Sequence, residues 1–259
     1  MIQMQRFFKL QAPQYADDFE HELVNPVWSR SPYNIPGIIC PMCGPMAFDQ
    51  KLRITLPDTR LLGEFEGIRH IRISDWVQQR PRWAQLLGLN PNRITPGASL
   101  GPPHGLLKGM PTADFIYPSM DVWVRTRLME ALRLSHCTGV EFAKSVLISA
   151  SASDESFCDG VQVNYKAVDP ANMPEYWELN VTGSAWRVGY DENRIRQCEI
   201  CGRKSFPDPD FLKVDESRWD GSEFFNVDCN PYIILVTDRV CRILKDINAS
   251  NYICEQVNV

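Results

Sequence analysis

The sequence predicts an α+β fold, a mixed or antiparallel sheet with a few helices, tied together by two CxxCG pairs, Cys40/Cys43 and Cys198/Cys201. Three observations predict it. Several short stretches alternate apolar and polar residues with period two, as at Leu52, Ile54 and Leu56 around Arg53 and Thr55. Helical periodicity is confined to a few short segments. The order strand, capped helix, strand occurs twice, giving two similar strand–helix–strand units.

Taken in order, residues 4–10 read as a strand with its aromatics in the core. An acidic loop follows (Asp17, Asp18, Glu20, Glu22), then a Pro- and Gly-rich stretch, 32–44, that carries the first cysteine pair. Residues 52–56 are a strand. Residues 74–87 read as helical, with Trp76, Trp83, Leu86 and Leu87 apolar; Pro81 predicts a break or a fresh start, and Gly88 a stop. Residues 91–111 are dense in Pro and Gly (Pro96-Gly97, Gly101-Pro102-Pro103-His104-Gly105) and read as a long ordered loop or a sub-unit boundary, near 91–113, within a single domain spanning 1–259.

The first strand–helix–strand unit runs from a strand at 114–118 into a helix capped by Ser119, with Val124, Leu128, Ala131 and Leu132 on one face. Gly139 ends it and 140–148 resumes extended structure. The second runs from a strand at 232–236 into a helix capped by Thr237, with Val240, Leu244 and Ile247 on one face, and resumes a strand at 252–257. These two segments are expected to be structurally equivalent. Between them, 161–168 and 175–181 alternate like antiparallel strands, and 208–223 is acidic and turn-rich.

Bulk properties exclude several classes. With 259 residues the chain buries a full core without disulfide help. Arg6 and Lys9 cut across Phe7, Phe8 and Leu10, so the start does not read as a signal peptide, and no stretch approaches the roughly 20 apolar residues of a membrane helix. A cytoplasmic location with reduced thiols is the expectation; the nine cysteines are an odd number, and the Asn-x-Ser/Thr triplets at Asn180 and Asn248 then carry no weight. A net charge of −5 argues against wholesale nucleic-acid binding and leaves open a basic protein partner.

The cysteine pairs carry the chemistry. In Cys40-Pro41-Met42-Cys43-Gly44 two intervening residues let both sulfurs face one ion. Glycine after the second cysteine permits a positive φ, so backbone N–H groups turn toward sulfur. Cys198-Glu199-Ile200-Cys201-Gly202 repeats the pattern. Together the pairs, in knuckle elements at 35–48 and 195–206, fit a tetrahedral four-cysteine site that suits zinc first and iron second. A closed shell of four thiolates has no open position for water, so such a site is structural. The competing reading is metal-free thiols or two redox motifs. A redox pair opens a helix after a strand, whereas Ile35-Pro36-Gly37 precedes the first pair and Arg203-Lys204 follows the second. Cys241 and Cys254 sit in apolar patterns and read as small buried hydrophobes.

No catalytic pattern emerges: there is no HExxH and no GxxxxGK[ST]. His104, in the Gly-rich loop, is the best functional histidine, although a lone loop histidine is more often simply solvated. Asp114 offers a carboxylate base, but a strand-start residue bonding a local amide is the better reading. Trp219, between Arg218 and Asp220, reads as an exposed interface anchor or as a satellite core under a loop. A non-enzymatic binding protein is expected.

At Phe7-Phe8-Lys9-Leu10, Ile35 through Gly44, Thr95-Pro96-Gly97, Gly101-Pro102, Gly105, Asp114-Phe115, Cys198 through Arg203 and Ile233 through Arg239, the chain resembles the double-CXXCG family of myxobacteria, which includes Sit-type immunity proteins. The likeness spans most of the chain in the same order. It implies an immunity protein that binds and neutralises a cognate intracellular toxin delivered by kin, with a structural zinc on Cys40, Cys43, Cys198 and Cys201. A nuclease-type toxin is often basic, and the acidic stretch with Asp208, Asp210, Asp215, Glu216, Trp219 and Asp220 is the expected contact. The rival is a zinc-ribbon nucleic-acid-binding or regulatory protein. Against it, the basic residues between Lys51 and Arg93 are interleaved with Asp58, Glu64, Glu66 and Asp75.

Overall fold

The computed structural model describes residues 5–14, 27–29, 33–46, 53–54, 59–65, 70–118, 121–149, 168–189, 196–201, 204–205, 212–227 and 230–257. In chain order the first strands are β1 (Phe7–Gln11), β2 (Val27–Ser29), β3 (Gly37–Cys40), β4 (Gly44–Met46), β5 (Arg53–Ile54) and β6 (His70–Arg72). Helix α1 (Ile73–Leu87) follows, then β7 (Ser99–Leu100), β8 (His104–Leu107), β9 (Phe115–Ile116), β10 (Trp123–Arg125), α2 (Thr126–Leu134), β11 (Val140–Lys144) and β12 (Val146–Ser149). The remainder is β13 (Tyr176–Val181), β14 (Gly183–Arg187), β15 (Arg196–Gln197), β16 (Lys204–Ser205), β17 (Val214–Asp215), β18 (Phe224–Val227), β19 (Asn230–Thr237), α3 (Asp238–Asp246) and β20 (Ile253–Val257). The fold is α+β, with several mixed and antiparallel sheets and three helices among the described residues.

The chain forms two compact units. The larger comprises 1–30, 103–190 and 210–259; the smaller comprises 31–102 and 191–209.

The larger unit is built on an internal repeat. One sheet runs β9-β10-β13-β11, and the second contains β18-β19-β1-β20 in the same order, extended by β14 and β17. In each, a strand leads directly into a nine-residue helix and the chain returns as a strand two places away, with an antiparallel strand inserted between. Trp177 pairs with Val124 and Lys144; Phe8 pairs with Val236 and Gln256. From β10 to β11 and from β19 to β20 the correspondence is therefore a constant offset of 112 residues (Val124 to Val236, Lys144 to Gln256). The inserted strand differs in origin: β13 follows β11 in the chain, whereas β1 precedes both repeats.

The core reports the same symmetry. Its fourteen buried residues form seven equivalent pairs: Leu10/Leu179, Phe115/Phe224, Val122/Ile234, Val124/Val236, Leu128/Val240, Met129/Cys241 and Leu132/Leu244. Each helix contributes one apolar stripe at i, i+1 and i+4. Burying that stripe, at roughly 2 kcal/mol per large side chain, stabilises helices too short to persist alone.

Polar contacts tie each repeat to the other reciprocally. Arg127, in the first turn of α2, pairs with Asp114 and donates to the carbonyl of Ile247 just past α3. Arg239, in the first turn of α3, pairs with Glu223 and donates to the carbonyl of Ser135 just past α2. The Asp114 carboxylate accepts from the Ser250 N–H at 2.9 Å, and the Glu223 carboxylate from the Thr138 N–H at 3.2 Å. A cation at a helix C-terminus complements its dipole, so each arginine serves its own acid and the opposite helix end at once.

Three expectations change. The first helix starts at Thr126, not after Ser119, which lies outside the described residues. Trp123 and Val124 are aromatic and β-branched and fully buried, and they extend the sheet instead. The Pro- and Gly-rich stretch 91–111 holds a 3-10 turn and two strands, β7 and β8, because Leu100 and Leu107 are fully buried and draw the backbone into pairing. Pro81 does not interrupt α1. It lies on the exposed face with Val77, so the carbonyl that loses its donor meets water. The strand expected at 161–168 falls, up to 167, outside the described residues.

The smaller unit packs α1 on the sheet β4-β3-β6, with β5 pairing β7. Trp76, Trp83, Ala84 and Leu87 form the buried face of α1 and join Ile35, Ile38, Ile54, Phe65, Ile94 and Leu100 in one core. Gly88, at φ 65°, ends the helix in the left-handed conformation glycine tolerates.

Candidate metal centre

Both cysteine pairs belong to the smaller unit, and each sits on a short hairpin. β3 and β4 pair so that Cys40 opposes Gly44, leaving Pro41, Met42 and Cys43 as the turn. Gly44 has φ 76°, the backbone state inferred for the residue after the second cysteine. In the second pair, β15 and β16 match Arg196 with Ser205 and Gln197 with Lys204, and Cys198 to Cys201 lie in the turn between them.

The two hairpins bring four sulfurs together. All four lie within 4.8 Å of one another. Across the pairs, Cys40 Sγ is 3.9 Å from Cys198 Sγ, and Cys43 Sγ is 4.0 Å from Cys201 Sγ. Four sulfurs each about 2.3 Å from one zinc form a tetrahedron whose edges are about 3.8 Å. The donor set, the count and the spacing therefore fit one tetrahedral ion. Cys40 is buried and the other three are half-buried, and Cys43 and Cys201 also pack on the apolar core of the unit. The centre and that core are continuous.

Electrostatics favour a thiolate at Cys198. The N–H groups of Cys201 and Ile200 point at the sulfur of Cys198 and hold its thiol down to about 6, against the opposing pull of desolvation. Cys43 is held above its ordinary value, first because its proton is shared with Cys198. Cys198 therefore ionises before Cys43. A dication held by these four sulfurs would favour their thiolate forms and displace their protons.

The other expected positions are more dispersed. Asp208 and Asp210 lie outside the described residues. Asp215 caps a 3-10 turn, accepting from Ser217 N–H and Oγ–H. Asp220 accepts from the N–H groups of Ser184 and Ser222; its carboxyl is held below the usual range because these bonds outweigh the cost of burial. Trp219 is half-buried, edge-on to Phe7 at 5.0 Å, with its indole N–H donating to Ser222 O. Glu216 is exposed. His104 sits in strand β8 opposite Val146, not in a loop. Asp114 is buried and bonds an amide, but that of Ser250, far along the chain. Sequence reasoning passed over Arg127, Glu223 and Arg239; the matching arginines one position into each helix were the available signal.

No helix among the described residues is long and apolar enough to cross a membrane. No protein-family model matches the chain, and no curated protein is similar to it at a significant level.

Proposed function

We propose that the chain is a non-catalytic immunity protein, held by a structural zinc, that binds and neutralises a cognate toxin inside the cell. The observation that carries the reading is the closed set of four sulfurs: once four thiolates fill a tetrahedral ion, no position is left for water or substrate, and the ion's contribution is rigidity. Binding by such a protein is stoichiometric capture. The charge distribution supports a basic partner, because the larger unit holds 23 acidic against 15 basic residues. Exposed Ile39, Met42 and Ile200 beside the sulfurs add apolar surface of the kind that contacts other macromolecules.

The test is co-expression with the product of the gene immediately upstream. Suppressed toxicity and a co-purifying complex are expected; a toxin that kills regardless, with no complex, removes the proposal. Glu216→Lys, at an exposed position beside the turn, is expected to slow association and weaken its salt dependence while leaving the fold intact.

A second reading rests on one observation. The smaller unit, which carries the cysteines, has 12 basic against nine acidic residues. A salt-sensitive gel shift with DNA or RNA at moderate ionic strength would favour a nucleic-acid-binding zinc ribbon instead.

A further inference from the structure

The two repeats of the larger unit differ sharply at one place. At the N-terminus of α3 lies a cleft of about 430 Å³ whose walls include Arg6, Arg239, Arg242, Glu223, Asp238 and Thr237. Arg6 and Arg242 both meet Asp238, at 2.9 and 3.2 Å, and Arg239 meets Glu223 at 2.5 Å. Three guanidiniums against two carboxylates leave one positive charge, and the helix N-terminus adds roughly half a unit more. Arg242 reaches Asp238 through Nε.

The helix start is also uncapped. Thr237 occupies the cap position in extended conformation, but its side chain makes no capping bond. The residue is 3 % exposed, and its buried Oγ1 has no hydrogen-bond partner among the described residues. A buried hydroxyl without a partner is destabilising, so one retained on the wall of a basic cleft points to a ligand that completes it.

The first repeat supplies the control. Asp238 N–H donates to Arg6 O, and in the same place Thr126 N–H donates to Glu175 O. The residues equivalent to Arg6, Thr237 and Arg242 are Glu175, Arg125 and Glu130. There the cap-adjacent hydroxyl of Thr126 accepts from the Trp177 indole N–H. The fold therefore does not require three arginines or an idle hydroxyl at this position; only the second repeat has them.

We propose that this cleft binds a phosphate group, free or as a phosphomonoester, held by the Arg6 and Arg242 guanidiniums and the Thr237 hydroxyl at the N-terminus of α3. Phosphate carries about −1.5 to −2 charges at neutral pH, matching the local excess, and its tetrahedral oxygens suit fork donors and a helix end together. This site is independent of the metal centre and of toxin capture.

The test is calorimetric titration of the full chain with inorganic phosphate and, separately, with adenosine monophosphate, at constant ionic strength balanced with chloride. Saturable one-to-one binding below roughly 1 mM is expected. Tighter binding of the nucleotide identifies the ester as the ligand; equal binding identifies the free ion. Thr237→Val and Arg242→Gln are each expected to weaken binding about tenfold. Thr237→Val should leave the unliganded melting temperature unchanged or higher, because it deletes an unsatisfied hydroxyl, so lost binding is not lost folding. Absence of saturable binding by either anion, or wild-type affinity in both variants, overturns the proposal.

Discussion

The two units of the chain solve the problem of a stable core differently. The larger doubles one motif, so that two helices and the faces of two sheets share fourteen buried residues in equivalent pairs. The smaller has one helix on small sheets and a core that runs into four half-buried or buried cysteines. Duplication supplies apolar area; a metal held by the four cysteines would substitute for it where the segments are short. The larger unit should therefore fold without metal, and the smaller should not.

The largest expected effect separates the units. Cys40→Ser or Cys198→Ser should abolish metal binding and unfold the smaller unit, since structural zinc contributes on the order of 10 kcal/mol in small metal-held folds. Amide hydrogen exchange should show lost protection in α1 and β3 and retained protection in β1, β19 and α3. Uniform loss in both units would break the comparison.

Next in size, Leu244→Ala and its equivalent Leu132→Ala should each destabilise the larger unit by about 3 kcal/mol, while metal content stays unchanged. Similar penalties at the two sites, measured by denaturant unfolding, would confirm that the repeats contribute alike.

The acid–arginine clasps should be less equal. Asp114 is 2 % exposed at its side chain and Glu223 15 %. Asp114→Asn is expected to cost about 2 kcal/mol and Glu223→Gln about 1 kcal/mol. Burial raises the Asp114 carboxyl, but the bonds from Arg127 and Ser250 outweigh it and hold it below its ordinary 3.8. A carboxyl depressed on folding adds stability above that ordinary value and loses it as pH falls through the lower folded value. Acid below about pH 4 should therefore weaken the larger unit, with a shallower pH dependence in Asp114→Asn. The smallest effect is Gly88→Ala, about 1 kcal/mol, from placing a Cβ at positive φ where glycine ends α1.

The parts of this fold that were legible were those written locally. CxxCG spacing declares its turn and its ligands within five residues, and the run from Ile233 through Leu244 declares a strand entering a helix. What depended on distant partners was not. Val124 carries helical spacing with Leu128, yet pairing with β13 makes it strand. Leu100 and Leu107 sit among prolines and glycines, and only burial makes their segments pair. Asp114 showed no neighbour because its partners are Arg127 and Ser250, one of them at the far end of the second repeat. Trp219 stood among charges in sequence, and Phe7, supplied by β1, covers its ring.

X-ray absorption on the purified, reduced full chain addresses the metal centre itself. One zinc per chain with four sulfur neighbours at about 2.3 Å is predicted. A first shell containing nitrogen or oxygen, or a protein that stays folded through both units with no bound metal, would contradict it.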